Sequence, residues 1–218
     1  MSVEVIVPWR GGCSHRENAL EWVAARYPWP LTVALAPPGP WCKAAAVLPA
    51  AQESSADVLV IADGDVWSDQ TADAVAAVQD GAAWALPHTR VHRLTRTATR
   101  WLLAGHEPSP GYDVEERPYR GLMGGGITVL PRETYLDIPL DPRFTGWGQE
   151  DASWGIALCT LADGDRWRGT SDLIHLWHPP QHRLSRQIGS QEGEALHRRY
   201  QLAQNDPAAM RALIEEAR

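Results

Sequence analysis

The chain has 218 residues, an apolar content of 44% and a formal net charge of −7 at pH 7. This length predicts one domain with a substantial core, and the acidic balance argues against nucleic acid as a specific partner. Three widely spaced cysteines (Cys13, Cys42, Cys159) fit neither a disulfide framework nor a zinc cluster. We see no signal-peptide pattern and no window of about 18 apolar residues, so we expect a cytoplasmic protein without a membrane span.

The first half of the sequence alternates short β-rich runs with helical stretches. This alternation predicts an α/β fold with a mixed, mostly parallel central sheet flanked by helices. We expect strands at about residues 3–8, 31–35, 58–62 and 82–87, and helices near 19–23, 44–52 (interrupted by Pro49) and 69–79. The pattern changes near residue 88, so we divide the chain into an α/β half at 1–87, a second half at 88–185 and a C-terminal helical extension at 186–218.

The continuous apolar run Val58–Ala62 ends abruptly in Asp63-Gly64-Asp65. Such a run predicts a strand buried on both faces, and ligands bind beyond the carboxyl ends of such strands. Two hard oxygen ligands there suit Mg²⁺ or Mn²⁺. A plain polar turn is the alternative. A second Ala-Asp-Gly-Asp, at residues 162–165, precedes a predicted strand and is interpreted as a hairpin turn.

Basic side chains follow the first two predicted strands. Arg10 and Lys43 are expected at the same sheet edge as the aspartates, where they would bind phosphate or a base edge. Ordinary surface cations are the alternative for each. Further along, Arg93, Arg96 and Arg100 could share one helical face.

Glycines, a tryptophan and two carboxylates mark the second half. Residues 124–126 are three glycines before an apolar run, which permits a close approach of the backbone to a ligand. Trp147 lies between Gly146 and Gly148, so we expect it on a mobile loop. Glu150 and Asp151 follow, and a carboxylate beside a tryptophan can act as a general base toward a hydroxyl. The alternative is a helix N-terminus whose dipole the carboxylates complement.

Two histidines, His175 and His178, stand at the end of a second apolar segment before Pro179-Pro180. They could supply nitrogen ligands to the same metal, or they could be structural. Residues 190–218 predict one or two terminal helices, broken near Asp206-Pro207, that serve as a lid or a packing element.

In this order the clusters resemble the GT-A glycosyltransferases, above all the inverting group of β-1,4-galactosyltransferase, chondroitin polymerase and the polypeptide GalNAc-transferase domains. Pro8-Trp9-Arg10 is similar to the family's Pro-Phe-Arg segment, and Trp41-Cys42-Lys43-Ala44 to its Phe-Asn-Arg-Ala segment. Asp63-Gly64-Asp65 matches its Asp-X-Asp motif, and Gly125-Gly126 its Gly-Gly pair. Residues 146–151 are similar to its Gly-Trp-Gly-Gly-Glu-Asp, and residues 175–178 have the spacing of its Met-X-X-His. The resemblance covers about residues 3–180.

Two features depart from the family pattern. No second arginine closely follows Arg10, and only Ala152-Ser153 stands where the family has a longer acidic run. The membrane anchor of the Golgi members is also missing, which suggests a bacterial or phage form.

The resemblance implies a single GT-A domain at residues 1–185, with a Rossmann-like nucleotide-sugar-binding half at 1–87 and an acceptor-binding and catalytic half at 88–185. It implies that this domain transfers a sugar with inversion, from a nucleotide donor, most simply a UDP-sugar, to a hydroxyl of a glycan or protein. It implies Mn²⁺, or Mg²⁺, at Asp65 and His178, with His175 as a candidate third ligand. Asp151 would be the catalytic base, and Glu150 would bind the acceptor or act as an alternate base. The residues implied for binding the sugar donor are Pro8, Arg10, Lys43, Asp63, Gly125 and Trp147.

Two other functions are compatible with parts of the sequence. A sugar-phosphate nucleotidyltransferase also uses an α/β sheet and paired aspartates, and Gly11-Gly12 is a short version of its glycine-rich loop. A non-catalytic carbohydrate-binding protein would use the 11 tryptophans as stacking platforms.

Overall fold

The computed structural model describes residues 1–108, 111–121, 123–180 and 189–217. Within these ranges the chain forms ten strands and eight helices, numbered here in chain order. The strands are β1 Val3–Trp9, β2 Leu31–Leu35, β3 Val58–Ala62, β4 Val66–Trp67, β5 Trp84–Leu86, β6 Arg90–Arg93, β7 Tyr119–Arg120, β8 Ile127–Pro131, β9 Arg166–Arg168 and β10 Asp172–His175. The helices are α1 Ser14–Ala24, α2 Lys43–Glu53, α3 Thr71–Gln79, α4 Arg96–Leu103, α5 Arg132–Asp137, α6 Glu150–Leu161, α7 Gln191–Leu202 and α8 Pro207–Glu215. Over the described ranges, no helix has both the length and the apolar character that a membrane crossing requires.

The main sheet has six strands in the order β2-β1-β3-β8-β5-β9. Strands β1, β2 and β3 are parallel, β8 is antiparallel to β3 and β5, and β9 is parallel to β5. All five residues of β3 are buried because hydrophobic clusters cover both faces of the sheet. The prediction of a mixed, mostly parallel sheet between helices is therefore confirmed.

A second sheet, ordered β4-β10-β6-β7, brings distant segments to the end of β3. Strand β10 pairs antiparallel with β4, so that His175 lies opposite Val66. The backbone N–H of Leu176 donates to the carbonyl oxygen of Asp65 at 2.8 Å. On its other side β10 is parallel to β6, where His175 lies opposite Arg93. This small sheet therefore places residues about 110 positions apart in sequence beside one another.

The two C-terminal helices belong to the same core as the sheet. Their buried apolar residues join the cluster that includes α2, α6 and one face of the sheet. The Tyr200 hydroxyl donates to the buried carboxylate of Asp141 at 2.9 Å, which attaches α7 to the segment before α6. The break at Asp206-Pro207 is confirmed, since Asp206 caps α8. The predicted boundary between residues 185 and 186, and Leu122 in the glycine segment, lie outside the described residues.

Three local predictions differ from the structure. Pro49 does not interrupt α2, because Val47 and Ala51 on the same helix are fully buried and their packing outweighs one missing hydrogen bond. Arg93 does not share a helix with Arg96 and Arg100, since it ends strand β6. The turn at residues 163–164 is real, but it joins α6 to β9 and is not a hairpin.

Candidate functional site

The Asp63-Gly64-Asp65 turn is fixed by its backbone and by a close-packed glycine. The Asp63 N–H donates to the Gly126 carbonyl at 2.9 Å, just beyond the β3–β8 ladder. A Cβ at Gly64 would lie 3.2 Å from Val7 Cγ1 and 3.3 Å from the Trp9 ring, so the turn passes tightly beneath that indole. The two flanking carboxylates leave this turn toward different partners.

Asp65 meets both histidines, and we call Asp65, His175 and His178 the metal-side cluster. The Asp65 Oδ2 atom is 3.1 Å from His178 Nε2, and Oδ1 is 4.0 Å from His175 Nε2. One ligand atom from each of the three residues lies within 4.8 Å of the others. Carboxylate oxygen and imidazole nitrogen are a set that Mn²⁺ accepts readily.

The hydrogen bonds of His178 indicate that a cation fits between it and Asp65. His178 Nδ1 is 2.8 Å from the Pro179 carbonyl oxygen, which can only accept, so Nδ1 carries a proton. In the neutral ring Nε2 then presents a lone pair to the Asp65 carboxylate. Two acceptors face each other at this distance only with a proton or a metal ion between them. The residues present therefore fit a divalent cation.

His175 differs from His178 in the partner of its Nε2 atom. Its Nδ1 is 2.9 Å from the Leu176 carbonyl oxygen, so Nδ1 again carries the proton. Its Nε2 is 3.0 Å from the Arg93 guanidinium, which donates to it. A lone pair that accepts from Arg93 is not simultaneously a metal ligand. Of the two histidines, His178 is the better placed to bind the ion.

Two arginines that were not among the predicted site residues flank this cluster. Arg16, in the first turn of α1, has a guanidinium nitrogen 3.5 Å from His178 Nδ1. Arg93 contacts His175 and also donates to the Tyr119 hydroxyl at 3.0 Å. The sequence signal for Arg16 was its position in the first helical turn after β1, at the ligand-binding edge. Arg93 had no such signal, because its place depends on the pairing of β6 with β10.

The surroundings of the cluster favour an ionised Asp65 and an uncharged His175. Burial would raise the pKa of Asp65, but the two histidines and Arg16 together outweigh it and hold that pKa below its usual range. Burial lowers the pKa of His175 to about 4, with Arg93 adding to the effect and Asp65 opposing it. At neutral pH His175 is therefore uncharged, and the guanidinium of Arg16 is a permanent positive charge that favours the ionised form of Asp65.

Asp63 faces the other way, and we call Lys43, Asp63, Glu150 and Asp151 the transfer-side cluster. Lys43 is the first residue of α2, and its ammonium lies 2.8 Å from Asp63 Oδ1 and 2.9 Å from Asp151 Oδ1. Its side chain is 5% exposed. Glu150 and Asp151 form the first turn of α6, where negative charge is favoured by the helix dipole. Both interpretations of this carboxylate pair, helix start and reactive group, are geometrically compatible.

Two of the transfer-side carboxylates, Glu150 and Asp151, have raised pKa values. Burial, followed by the charge of Asp151, raises the pKa of Glu150 to about 7, while Lys43 opposes the shift. Burial also raises the pKa of Asp151, against Lys43, which favours its ionised form. Burial would lower the pKa of Lys43, but Asp151 and Asp63 outweigh it, so Lys43 is a permanent ammonium. A group with a raised pKa in a partly dry site suits proton transfer.

Glycines allow α6 to pack directly on the loop before β8. A Cβ at Gly155 would collide with the Met123 carbonyl, and a Cβ at Gly124 would lie 2.7 Å from the Asp151 carbonyl oxygen. Gly124 also has a φ of +84°, which side chains disfavour. Gly125 is buried in this joint. The glycine run therefore sets the position of the helix that carries the carboxylates.

Trp147 lies on a loop that is attached at both ends. Gly146 and Gly148 have positive φ angles of 84° and 109°. The Gly146 N–H donates to the Trp41 carbonyl at 2.7 Å, and Gly189 is packed against the Trp147 carbonyl. The indole itself is half-buried.

Arg10 and Pro8 lie at the expected edge of the sheet. Pro8 is buried in β1 opposite Ala34. The Arg10 guanidinium donates to the carbonyls of Gly39 (2.8 Å), Pro37 (3.0 Å) and Pro40 (3.2 Å) and lies over the Trp41 ring. It thereby orders the loop between β2 and α2, so a bound nucleotide would meet Arg10 together with that loop.

Comparison with known proteins identifies the fold. No protein-family model and no curated protein sequence matches the chain. GalNAc-T7, solved with UDP, GalNAc and Mn²⁺, aligns with a TM-score of 0.59 and 14% identity over 99% of this chain. The chain covers 55% of GalNAc-T7, about half of its length. Glucosyl-3-phosphoglycerate synthase from Mycobacterium tuberculosis, solved with Mn²⁺, UDP and glucosyl-3-phosphoglycerate, aligns with a TM-score of 0.53 and 14% identity over 98% of this chain and 80% of its own. The chain has the fold of the GT-A glycosyltransferases, as the resemblance implied.

Proposed function

We propose that this protein is a metal-dependent, inverting glycosyltransferase that transfers a sugar from a nucleotide donor, most simply a UDP-sugar, to a hydroxyl group. One observation carries the proposal. Of the two carboxylates that flank Gly64, Asp65 belongs to a ligand set for a divalent ion and Asp63 belongs to a buried group of carboxylates around Lys43. An ion-bound diphosphate and a proton acceptor would therefore lie side by side. The UDP and Mn²⁺ in the two solved GT-A enzymes agree with this choice of sugar donor and metal.

The metal-side cluster would hold Mn²⁺ or Mg²⁺ through Asp65 and His178, with His175 becoming available when Arg93 moves away. A bound divalent ion supplies positive charge to the diphosphate leaving group. Arg16 and Arg93 stand on either side of the cluster and would bind the phosphate oxygens. Pro8, Arg10 and the loop at 37–40 would contact the nucleotide.

The transfer-side cluster would carry out the proton transfer. Asp151 would accept the proton of the acceptor hydroxyl as its oxygen bonds to C1 of the sugar and the bond from C1 to the phosphate oxygen breaks. Attack from the face opposite the diphosphate inverts the configuration at C1. Glu150 would hydrogen-bond the acceptor, and Asp63 the sugar. Gly125 would allow the sugar donor close to the backbone.

Trp147 would cover the sugar and exclude water, which limits hydrolysis of the sugar donor. Its loop has glycines on both sides of the indole, so it can adjust while it stays attached at Trp41 and Gly189.

A panel of nucleotide sugars, incubated with Mn²⁺ and simple acceptors, tests the proposal through release of the nucleoside diphosphate. We expect release from at least one sugar donor, its loss on chelation and its recovery when Mn²⁺ is added back. Asp165→Asn, in the second Ala-Asp-Gly-Asp, is the matched control and should keep the activity. Release of pyrophosphate from a nucleoside triphosphate and a sugar phosphate would instead establish a nucleotidyltransferase. Glycan binding that needs neither metal nor nucleotide would establish a binding protein.

A further inference from the structure

Lys43 is unusual in the composition of the chain as well as in its position. It is the only lysine among the 218 residues, and every other member of the 20 basic residues is an arginine. This single lysine is buried, and its ammonium lies between two carboxylates. The pattern suggests a requirement for the shape of the ammonium group as well as for its charge.

The backbone of Lys43 is held in place by the residues on either side of it. Cys42 caps α2, since its sulfur accepts from the Ala45 N–H at 3.4 Å and donates to the Pro142 carbonyl at 3.5 Å. Ala44 and Ala46 are buried beside it. The ammonium therefore projects from a fixed helix start into a closed space.

The contacts of Lys43 connect two different elements at this edge. Asp63 directly follows the central strand β3, whereas Asp151 belongs to the first turn of α6. Both carboxylates use their Oδ1 atom for Lys43, so each retains Oδ2 for a sugar or acceptor hydroxyl. A tetrahedral ammonium has three hydrogens and can serve two carboxylates from one point, whereas a planar guanidinium needs a wider site.

We infer that Lys43 is a positioning residue that holds the candidate base Asp151 at a fixed distance from the sugar-binding carboxylate Asp63, and that it is not a ligand of the diphosphate. The sequence resemblance placed Lys43 among the residues that bind nucleotide and phosphate. Its two short ion pairs instead engage it on the transfer side, while Arg16 and Arg93 are the cations beside the metal-side cluster. The catalytic part of this inference rests on the proposed function, but the contact itself does not.

A spectroscopic test follows from the single lysine. Protein labelled with ¹⁵N- and ¹³C-lysine should give one side-chain ammonium signal by NMR. We expect Asp63→Asn and Asp151→Asn each to shift this signal clearly, and saturation with UDP and Mg²⁺ to shift it much less. Asp165→Asn is the control and should leave the signal in place. A shift on adding UDP and Mg²⁺ as large as that in Asp151→Asn would overturn the inference, because it would place Lys43 at the phosphates.

A kinetic test separates positioning from binding. Lys43→Met and Lys43→Arg should each lower kcat roughly 100-fold, since a small misplacement of a reacting group has that cost. The KM for the sugar donor should stay within about threefold, because no phosphate contact is lost. In Lys43→Met/Asp151→Asn, turnover should be no lower than in Asp151→Asn alone. Arg100→Met, which removes an exposed cation of α4, should leave kcat unchanged.

The outcomes distinguish this inference from the proposed function. A raised KM with an unchanged kcat in Lys43→Met would overturn the positioning role and restore the phosphate role. If the wild-type protein turns over no nucleotide sugar, the proposed function fails, and the NMR shifts still decide what Lys43 contacts. If Lys43→Met does not fold, Lys43→Arg and the two aspartate variants supply the same comparison.

Discussion

Asp63 and Asp65 are separated by a single residue, Gly64, yet their carboxylates have different partners. Asp63 binds a buried ammonium at 2.8 Å, so its charge is already compensated by the protein. Asp65 faces the nitrogen of His178 at 3.1 Å, and that nitrogen is an acceptor in the neutral ring. The transfer-side carboxylate Asp63 is therefore paired with a cation of the protein, whereas Asp65 belongs to a ligand set that fits a divalent ion.

This difference indicates how the two halves of the site would work. Asp65 and His178 of the metal-side cluster would share a bound ion, so the order of this cluster would depend on the ion and on the diphosphate. The transfer-side cluster keeps its geometry through Lys43 and the helix start of α6, so the base would be in place before substrates bind. Preorganised charge of this kind is worth more than charge that must be arranged during the reaction.

The largest expected effect is on turnover, from a change on the transfer side. Asp151→Asn should lower kcat about 10²–10⁴-fold, because the amide cannot accept the proton of the acceptor hydroxyl. Binding of UDP with Mn²⁺, measured by thermal shift, should not change, since the metal side is intact. Turnover equal to that of the wild type would remove Asp151 from the mechanism.

The next largest effect is on Mn²⁺ affinity, which should differ between alanine variants of the two histidines in the metal-side cluster. His178→Ala should weaken Mn²⁺ binding about 10–100-fold, whereas His175→Ala should weaken it less, because Arg93 already occupies the His175 lone pair. Calorimetry with Mn²⁺ and UDP measures both affinities. Arg93→Met sharpens the comparison, since it should make His175 available and bring the two alanine effects closer together. Equal losses in the two alanine variants with Arg93 present would contradict this account of His175.

A smaller effect concerns the joint between the glycine loop and α6. Gly155→Ala places a methyl group against the Met123 carbonyl, so the helix must shift or the loop must open. We expect a loss of about 1–3 kcal/mol in the free energy of unfolding, as in other overpacked sites. Chemical denaturation measures it, with Gly164→Ala in the turn after α6 as a control that meets only the Ala83 Cβ, at 3.7 Å, although its φ of +104° adds some strain of its own.

The smallest effect is a dependence of stability on pH that arises from Glu150. Its pKa rises from an ordinary value of 4.5 to about 7 on folding, so between these values the folded protein holds a proton that the unfolded chain releases. The free energy of unfolding should therefore fall as pH rises from about 4.5 to 7. In Glu150→Gln this fall should be reduced by on the order of 1 kcal/mol. Denaturation at pH 4.5, 6 and 7.5 measures the free energy of unfolding of both proteins. If it changes with pH by the same amount in the wild type and in Glu150→Gln, Glu150 does not titrate in this way.

The sequence predicted the parts of the site that local patterns determine. The end of a buried strand at Asp63, the helix start at Glu150 and the spacing of His175 and His178 all follow from runs of a few residues. Asp63 directly follows β3, Glu150 begins α6 and His175 ends β10. The sheet class could also be predicted, because alternating strands and helices leave few arrangements.

The partners of the cations could not be predicted, because tertiary packing decides them. Arg10 and Lys43 were both predicted to bind phosphate or a base edge, and the protein groups that they contact, loop carbonyls for Arg10 and two carboxylates for Lys43, were not predicted. Arg93 was assigned to a helical face, but β6 pairs with β10 and carries it to His175. Nothing in the local sequence around an arginine specifies which distant strand will lie beside it.

Mn²⁺ titrations in the presence of UDP, followed by the signal of the free ion in EPR, test the central claim most directly. Wild-type protein, Asp65→Asn, Asp63→Asn and Asp165→Asn form the set. The account predicts that Asp65→Asn weakens Mn²⁺ binding by about 100-fold, while Asp63→Asn and Asp165→Asn stay within a few-fold of the wild type. Equal losses in Asp63→Asn and Asp65→Asn would contradict the division into two sides. A loss confined to Asp165→Asn would place the metal at the second Ala-Asp-Gly-Asp and refute the site.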